Sequence, residues 1–213
     1  MTWIKICGVT NLEDALKAST LPIDAIGFIF APSPRRVDPS LIQQIVLHLP
    51  PSLLKVGVFL NEDRTTVETI AQVCHLDILQ FHGNEPPEYC REFPLPVIKA
   101  IRIKDLESLG AMDLYPDVTL LLDTYSPVKA GGTGTPFPWE FAQKAKEKRD
   151  FILSGGLTPE NVRRAVQRVR PLGVDVSSGV EREPGRKDFS KMFQFVEEVK
   201  KADGTGSSSE VRL

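Results

Sequence analysis

Apolar and polar positions alternate along this chain in two rhythms. Short apolar runs bounded by turn residues read as buried strands. The stretches between them, where apolar residues return every three or four positions, read as helices packed by one face. The first run is Trp3 to Cys7. Thr10-x-x-Glu13 follows as a capping box, opening a helix with Leu12, Ala15, Leu16 and Ser19 on one side. Ala25 to Phe30 is the second run, and Asp38-Pro39 then starts a helix with Ile42, Ile45, Val46 and Leu49 inward. Leu54 to Leu60 precedes a helix facing the core through Val67, Ile70, Ala71 and Cys74. Ile78 to Phe81 precedes a short helix from Pro87 to Phe93. Val97 to Ile101 leads to a helix around Asp105 to Met112, and Thr119 to Leu122 to a helix from about Pro138.

The clearest unit runs from Phe151 to Gly179. A strand, Phe151 to Leu153, breaks at Ser154-Gly155-Gly156. Thr158-Pro159 opens a helix with Val162, Ala165, Val166 and Val169 on one face, and a second strand, Val174 to Val176, breaks at Ser177-Ser178-Gly179. Strand, helix and strand within roughly thirty residues make one βαβ unit, whose strands run parallel and whose two turns open side by side on one edge. Glycines there leave backbone N–H groups uncovered and a serine adds a hydroxyl, which together suit a phosphate ester. Glycine and serine are also ordinary turn residues. It is their pairing on consecutive parallel strands that points to an anion. A last helix shows Phe189, Met192, Phe193 and Val196 on one face.

Eight strands in strict alternation with helices predict an α/β fold, a single-domain (βα)₈ barrel over residues 1–201, with a disordered C-terminal tail over 202–213. An open doubly wound sheet shares that alternation. Against it, no G-x-G-x-x-G follows the first strand, and Gly132-Thr133-Gly134 comes late without a third glycine.

Composition narrows the function. A net charge of −2 offers no general attraction to nucleic acid or anionic lipid, so an anion must be gripped locally. No apolar run reaches the length of a membrane span, and the N-terminus lacks the apolar core of a secretory signal. Cys7, Cys74 and Cys90 form no C-x-x-C pair and cannot all pair with one another, which fits a reducing, cytoplasmic compartment. Three histidines and no H-E-x-x-H leave little from which to build a metal site.

In such a barrel the C-terminal strand ends share one mouth, where Cys7, Arg36, Asn61, His82, Arg102, Asp123, Gly156 and Ser178 would gather. Each has a structural alternative: a strand cysteine is commonly core packing, a strand-closing aspartate is commonly a cap, and Arg35 and Arg36 read either as a solvated loop pair or as a binder supplied by one of the two. Together, a thiol as base and a carboxyl as acid across a bound sugar phosphate suit an aldose–ketose isomerisation.

Lys5-Ile6-Cys7-Gly8, Gln80-Phe81-His82-Gly83, Leu121-Leu122-Asp123, Gly131-Gly132-Thr133-Gly134-x-x-Phe137-x-Trp139, Leu153-Ser154-Gly155-Gly156-Leu157 and Asp175-Val176-Ser177-Ser178-Gly179-Val180-Glu181 resemble the phosphoribosylanthranilate isomerase family, in order, from about residue 3 to 200. The resemblance implies a (βα)₈ barrel of tryptophan biosynthesis that converts N-(5-phosphoribosyl)anthranilate into 1-(2-carboxyphenylamino)-1-deoxyribulose 5-phosphate by an Amadori rearrangement, with no metal or organic cofactor. It puts the general base on Cys7, the general acid on Asp123 and the arginine for the anthranilate carboxylate on Arg36. It puts phosphate binding on Gly155, Gly156, Ser178 and Gly179, and His82 among the substrate-binding residues. Val37 departs from the pattern, where an aromatic is more usual. The glycine-rich loop Gly131 to Gly134, stiffened by Pro136 and Pro138, reads as a lid over the substrate. Monomer and homodimer are equally compatible with the sequence. Two other classes share the phosphate turns: a lyase or transferase using Lys99 as a Schiff base, and a phosphosugar-binding domain without chemistry.

Overall fold

The computed structural model describes residues 1–124 and 139–204. Eight parallel strands close into a barrel in sequence order: β1 (Trp3–Cys7), β2 (Ala25–Ile29), β3 (Leu54–Phe59), β4 (Ile78–Phe81), β5 (Val97–Ile103), β6 (Thr119–Thr124), β7 (Ile152–Leu153) and β8 (Gly173–Val176). Closure is made by β1 against β8, with Ile4 opposite Val174 and Ile6 opposite Val176. The helices α1 (Leu12–Ser19), α2 (Pro39–Val46), α3 (Arg64–Val73), α4 (Pro87–Cys90), α5 (Trp139–Lys148), α6 (Pro159–Val169) and α7 (Phe189–Asp203) cover the outside. No helix among the described residues is long and apolar enough to cross a membrane. Residues Gly131 to Gly134, expected to act as a lid, and residues 205–213 lie outside the described residues.

Alternation along each strand sends one set of side chains inward and the other toward the helices. Inward, Trp3, Ala25, Val56, Ile78, Ile98, Ala100, Leu121 and Ile152 pack as an apolar plug that fills the lower barrel. A separate and larger apolar layer lies between sheet and helices. Two residues further up β1 and β8 the inward positions turn polar, at Lys5 and Asp175. The plug is thus the floor on which the polar mouth stands.

Some helix starts are as expected. The Asp38 side chain accepts from Ser40 N with Pro39 at the first turn, and Thr158-Pro159 opens α6, where Asn161 Oδ1 accepts from Thr158 N at 2.8 Å. Five details differ. The cap of α1 is Asn11, which takes the Asp14 N–H at 2.9 Å, while the Thr10 hydroxyl donates to Gly185 O. The buried face of α1 is Asp14, Ala15 and Ala18, with Leu12 and Leu16 exposed. In α7, Met192, Phe195, Val196 and Val199 are buried, and Phe193 is 50% exposed. Small residues let α1 approach the sheet closely, which rotates the bulky leucines outward. After β5 the chain forms a 3₁₀ helix, Glu107–Leu114, not an α-helix. Helix α7 also continues through Ala202, which is buried, to Asp203, whose carboxylate takes the Thr2 N–H at 2.7 Å.

Beyond β8 the chain adds a hairpin that periodicity did not predict, β9 (Glu181–Glu183) with β10 (Arg186–Lys187). It folds back beside the mouth.

Candidate active site

The turns after β7 and β8 meet. Gly155 and Gly156 hold φ of 86° and 65°, a region that side chains disfavour. Asn161 Nδ2 donates to Gly156 O at 2.9 Å, tying this turn to the first turn of α6. The second turn lies against the first so closely that a Cβ at Gly179 would stand 1.9 Å from Leu157 O. Gly155 and Gly156 donate no N–H to any partner among the described residues, and Ser178 and Gly179 open a single 3₁₀ turn, whose first N–H groups have no partner within it. The four residues expected to bind phosphate are therefore brought together.

A cavity of about 650 Å³ opens above the plug, with Cys7, Arg35, His82, Asp123, Asp175 and Ser177 in its wall. Cys7 ends β1 and Asp123 lies near the end of β6, with β7, β8 and their turns between them. Cys7 is 5% exposed. Burial pushes its thiol up; Lys5 pulls it down, Asp175 adds to the rise and Lys187 offsets part of it. Lys5, two residues before Cys7 on the inward face, is fully buried with its Nζ 2.8 Å from Asp175 Oδ1. Burial lowers the Lys5 ammonium, but Asp175 and Cys7 outweigh it, and the net direction is upward.

On the far wall, His82 Nε2 lies 3.1 Å from Asp123 Oδ2, and His82 Nδ1 lies 3.1 Å from Gln80 Nε2. With the Gln80 amide donating, Nδ1 is the acceptor and Nε2–H points at the carboxylate. Arg102 Nη2 donates to His82 O at 2.8 Å, fixing the loop from behind. His82, expected among the substrate-binding residues, thus sits against Asp123.

The arginine pair separates. Arg35 turns inward and donates from Nε and Nη2 to the two carboxylate oxygens of Glu181, at 2.8 and 2.7 Å. That pairing holds its guanidinium above its ordinary value, against the opposing effect of burial. Arg36 is exposed, makes no ion pair among the described residues and lies outside the cavity wall, next to Val37, which is buried. Asn61, with φ of 52°, serves the loops and not the cavity: its Oδ1 accepts from Asn84 N at 2.6 Å.

Lys99 points away from the cavity. Its neighbours Ile98 and Ala100 belong to the inward plug, so Lys99 faces outward, where Nζ donates to Gly83 O at 2.7 Å and Glu85 Oε2 at 2.9 Å beneath the Tyr115 ring. A Schiff base with a substrate in the mouth is out of its reach.

Sequence reasoning weighed Arg35 beside Arg36 as the carboxylate binder, and it missed Lys5, Gln80, Asp175 and Glu181. Lys5, Gln80 and Asp175 carried a usable signal, because each is a polar residue interrupting an apolar strand run. Glu181 did not, since its partnership with Arg35 depends on the hairpin.

Residues 4–198 match the family model of N-(5'phosphoribosyl)anthranilate (PRA) isomerase. The chain is 47% identical over 205 residues to the N-(5'-phosphoribosyl)anthranilate isomerase of Moorella thermoacetica, a match spanning 95% of this chain and 92% of the relative. The crystal structure of phosphoribosyl anthranilate isomerase from Thermotoga maritima superposes with a TM-score of 0.89 at 41% identity, covering 94% of this chain and 100% of that one. A structure of phosphoribosyl anthranilate isomerase in complex with reduced 1-(o-carboxyphenylamino)-1-deoxyribulose 5-phosphate superposes with a TM-score of 0.86 at 40% identity, with the same coverage of 94% and 100%.

Proposed function

The chain belongs to the N-(5'-phosphoribosyl)anthranilate isomerase family and is an isomerase of tryptophan biosynthesis, and on that premise we propose that Cys7 and Asp123 are its base and acid. The observation that carries this assignment is that a thiol and a carboxyl stand in one cavity wall, on strands that flank the two phosphate turns.

The substrate's 5-phosphate docks on the N–H groups of Gly155, Gly156, Ser178 and Gly179, which places the ribose between β1 and β6. Asp123 protonates the ring oxygen as the bond from C1 to that oxygen breaks, and the anilino nitrogen supplies the electron pair for the new C1=N bond. The Cys7 thiolate then takes the proton from C2, and the electron pair released neutralises the iminium to give the enaminol. Ketonisation moves the 2-hydroxyl proton to C1. Overall C2 and the 2-hydroxyl each lose a proton, and C1 and the former ring oxygen each gain one. A proton passes from Cys7 to solvent and from solvent to Asp123 to restore the pair, and no electrons are gained or lost. His82 holds the Asp123 carboxyl in place. Arg35 is committed to Glu181, so of the two adjacent arginines Arg36 is the one with a guanidinium available to grip the anthranilate carboxylate. The three cysteines carry no disulfide, which supports a reducing, cytoplasmic setting.

Cys7→Ser and Asp123→Asn should each lower kcat by about 10²–10⁴-fold while the reduced product analogue still binds. The measurement is loss of phosphoribosylanthranilate fluorescence, with calorimetry for binding. Near-normal turnover in either variant would refute that residue's role.

A further inference from the structure

A thiolate is expensive to form where Cys7 stands, because the barrel plug lies beneath it and water has little access. Five charged side chains surround the position. Lys5 and Asp175 pair at 2.8 Å on the inward faces of β1 and β8. Arg35 and Glu181 pair at 2.7 Å, and the fifth, Lys187 on β10, reaches the same carboxylate with Nζ to Glu181 Oε1 at 2.9 Å. Lys187 Nζ also donates to Ser177 O at 3.1 Å, directly behind the second phosphate turn. The group closes around the start of the loop after β1, since Arg35 Cδ and Ser177 Oγ lie 2.6 and 2.9 Å from where a Cβ on Gly8 would be.

Three cations, Lys5, Arg35 and Lys187, stand there against two carboxylates, Asp175 and Glu181. Two further charges touch the edge of the group and offset each other. Asp14 on α1 takes the Lys187 backbone N–H at 2.8 Å, and Lys191 on α7 donates to Glu181 O at 2.8 Å. Asp123 and His82 lie across the same cavity as a separate pair. The cluster therefore holds one positive charge in excess, and the group within it that can supply the missing anion is the Cys7 sulfur.

We propose that Lys187, contributed by the hairpin after β8 and not by the barrel itself, is the positioning cation that lets Cys7 ionise inside the barrel mouth. The inference deepens the assignment of Cys7 as base and rests on it. Lys187 is 3% exposed, too buried to meet the substrate except through its neighbours. Burial pulls the Lys187 ammonium below its ordinary value while Glu181 and Cys7 hold it up in part, and its pull on the thiol, like the larger one of Lys5, opposes burial. Placing this charge on a hairpin couples it to the second turn, because Lys187 Nζ donates to Ser177 O.

The test is a titration of Cys7 that needs no turnover. Alkylation by iodoacetamide is followed against pH and resolved by residue with mass spectrometry in the intact chain. Lys187→Met should raise the midpoint for Cys7 and slow alkylation at neutral pH by at least about tenfold, the equivalent of one pK unit. Lys187→Arg should restore the wild-type profile. Asp175→Asn, which removes an anion from the same cluster, should move the midpoint the other way. A Lys187→Met protein with wild-type melting temperature and an unchanged midpoint would overturn the proposal, and so would Lys187→Met and Asp175→Asn shifting in the same direction. Failure of the base assignment would show separately, as retained turnover in Cys7→Ser with this titration unaffected.

Discussion

The carbonyl of Leu157 and the α-carbon of Gly179 are in direct contact: a Cβ on the glycine would lie 1.9 Å from the Leu157 oxygen. Leu157 closes the turn after β7 and Gly179 belongs to the turn after β8, so the two halves of the proposed phosphate site bear on each other through backbone. Neither atom is at the end of a flexible side chain, and neither can yield without moving its turn. Gly179→Ala should therefore separate the turns and withdraw at least one N–H from the phosphate. A charge-assisted hydrogen bond contributes about 1.5–3 kcal/mol, which corresponds to about 10–100-fold weaker phosphate-ester binding. Overpacking should also cost roughly 1–3 kcal/mol of stability. Calorimetry with the product analogue, beside a thermal melt, checks both, and unchanged affinity would mean that the turns do not bind phosphate together.

The two adjacent arginines should behave oppositely. Arg35→Met leaves Glu181 buried with Lys187 as its remaining cation, a loss on the order of 1.5–3 kcal/mol in unfolding free energy. Arg36→Met should leave the melting temperature unchanged and weaken anthranilate-bearing ligands far more than inorganic phosphate. Denaturant titration and competition binding on the two variants separate fold from recognition. Equal weakening for both ligands in Arg36→Met would remove it from the carboxylate site.

Lys99 belongs to the architecture and not to the chemistry. Borohydride added during turnover should leave the protein mass unchanged, since the amine is engaged with Gly83 O and Glu85 on the outer face. Lys99→Met should destabilise by about 3–5 kcal/mol, because Glu85 stays buried while losing its counter-charge. Glu85→Gln combined with Lys99→Met should recover part of that loss. A covalent adduct at Lys99 would contradict the outward orientation.

Alkaline stability should depend on two thiols remote from the mouth. Burial raises the Cys74 and Cys90 thiols from 9.0 to about 11. A group whose folded pKa lies above its unfolded value contributes stability that is fully present below pH 9.0, and that contribution is lost as pH rises toward about 11. Each thiol contributes at most about 3 kcal/mol over that window. Thermal melts from neutral to alkaline pH should fall less steeply above pH 9.0 in a Cys74→Ala/Cys90→Ala variant than in the parent. Parallel curves would show that these thiols do not ionise on unfolding.

Local pattern by itself determined the alternation of strand and helix, the parallel direction of the strands and the pairing of turns after β7 and β8. Those properties follow from side-chain period and connection length, which act over a few residues. The caps at Asp38 and Thr158 were legible for the same reason. Period alone does not say which of two overlapping apolar stripes a helix will bury. On α1 the choice fell on Ala15 and Ala18, and on α7 on Phe195 and Val199, because the neighbouring layer accepts that width.

Tertiary structure decided the charges. Arg35 and Arg36 are chemically identical and adjacent, and what distinguishes them is Glu181, a residue 146 positions further along the chain. Lys5 and Lys99 both sit in apolar runs, yet parity sends one beside the thiol and the other behind the sheet. Local sequence can place a charged group on a strand, but electrostatic energy depends on distance in space and on desolvation. Both are set only once the barrel has closed and the hairpin has folded over its mouth.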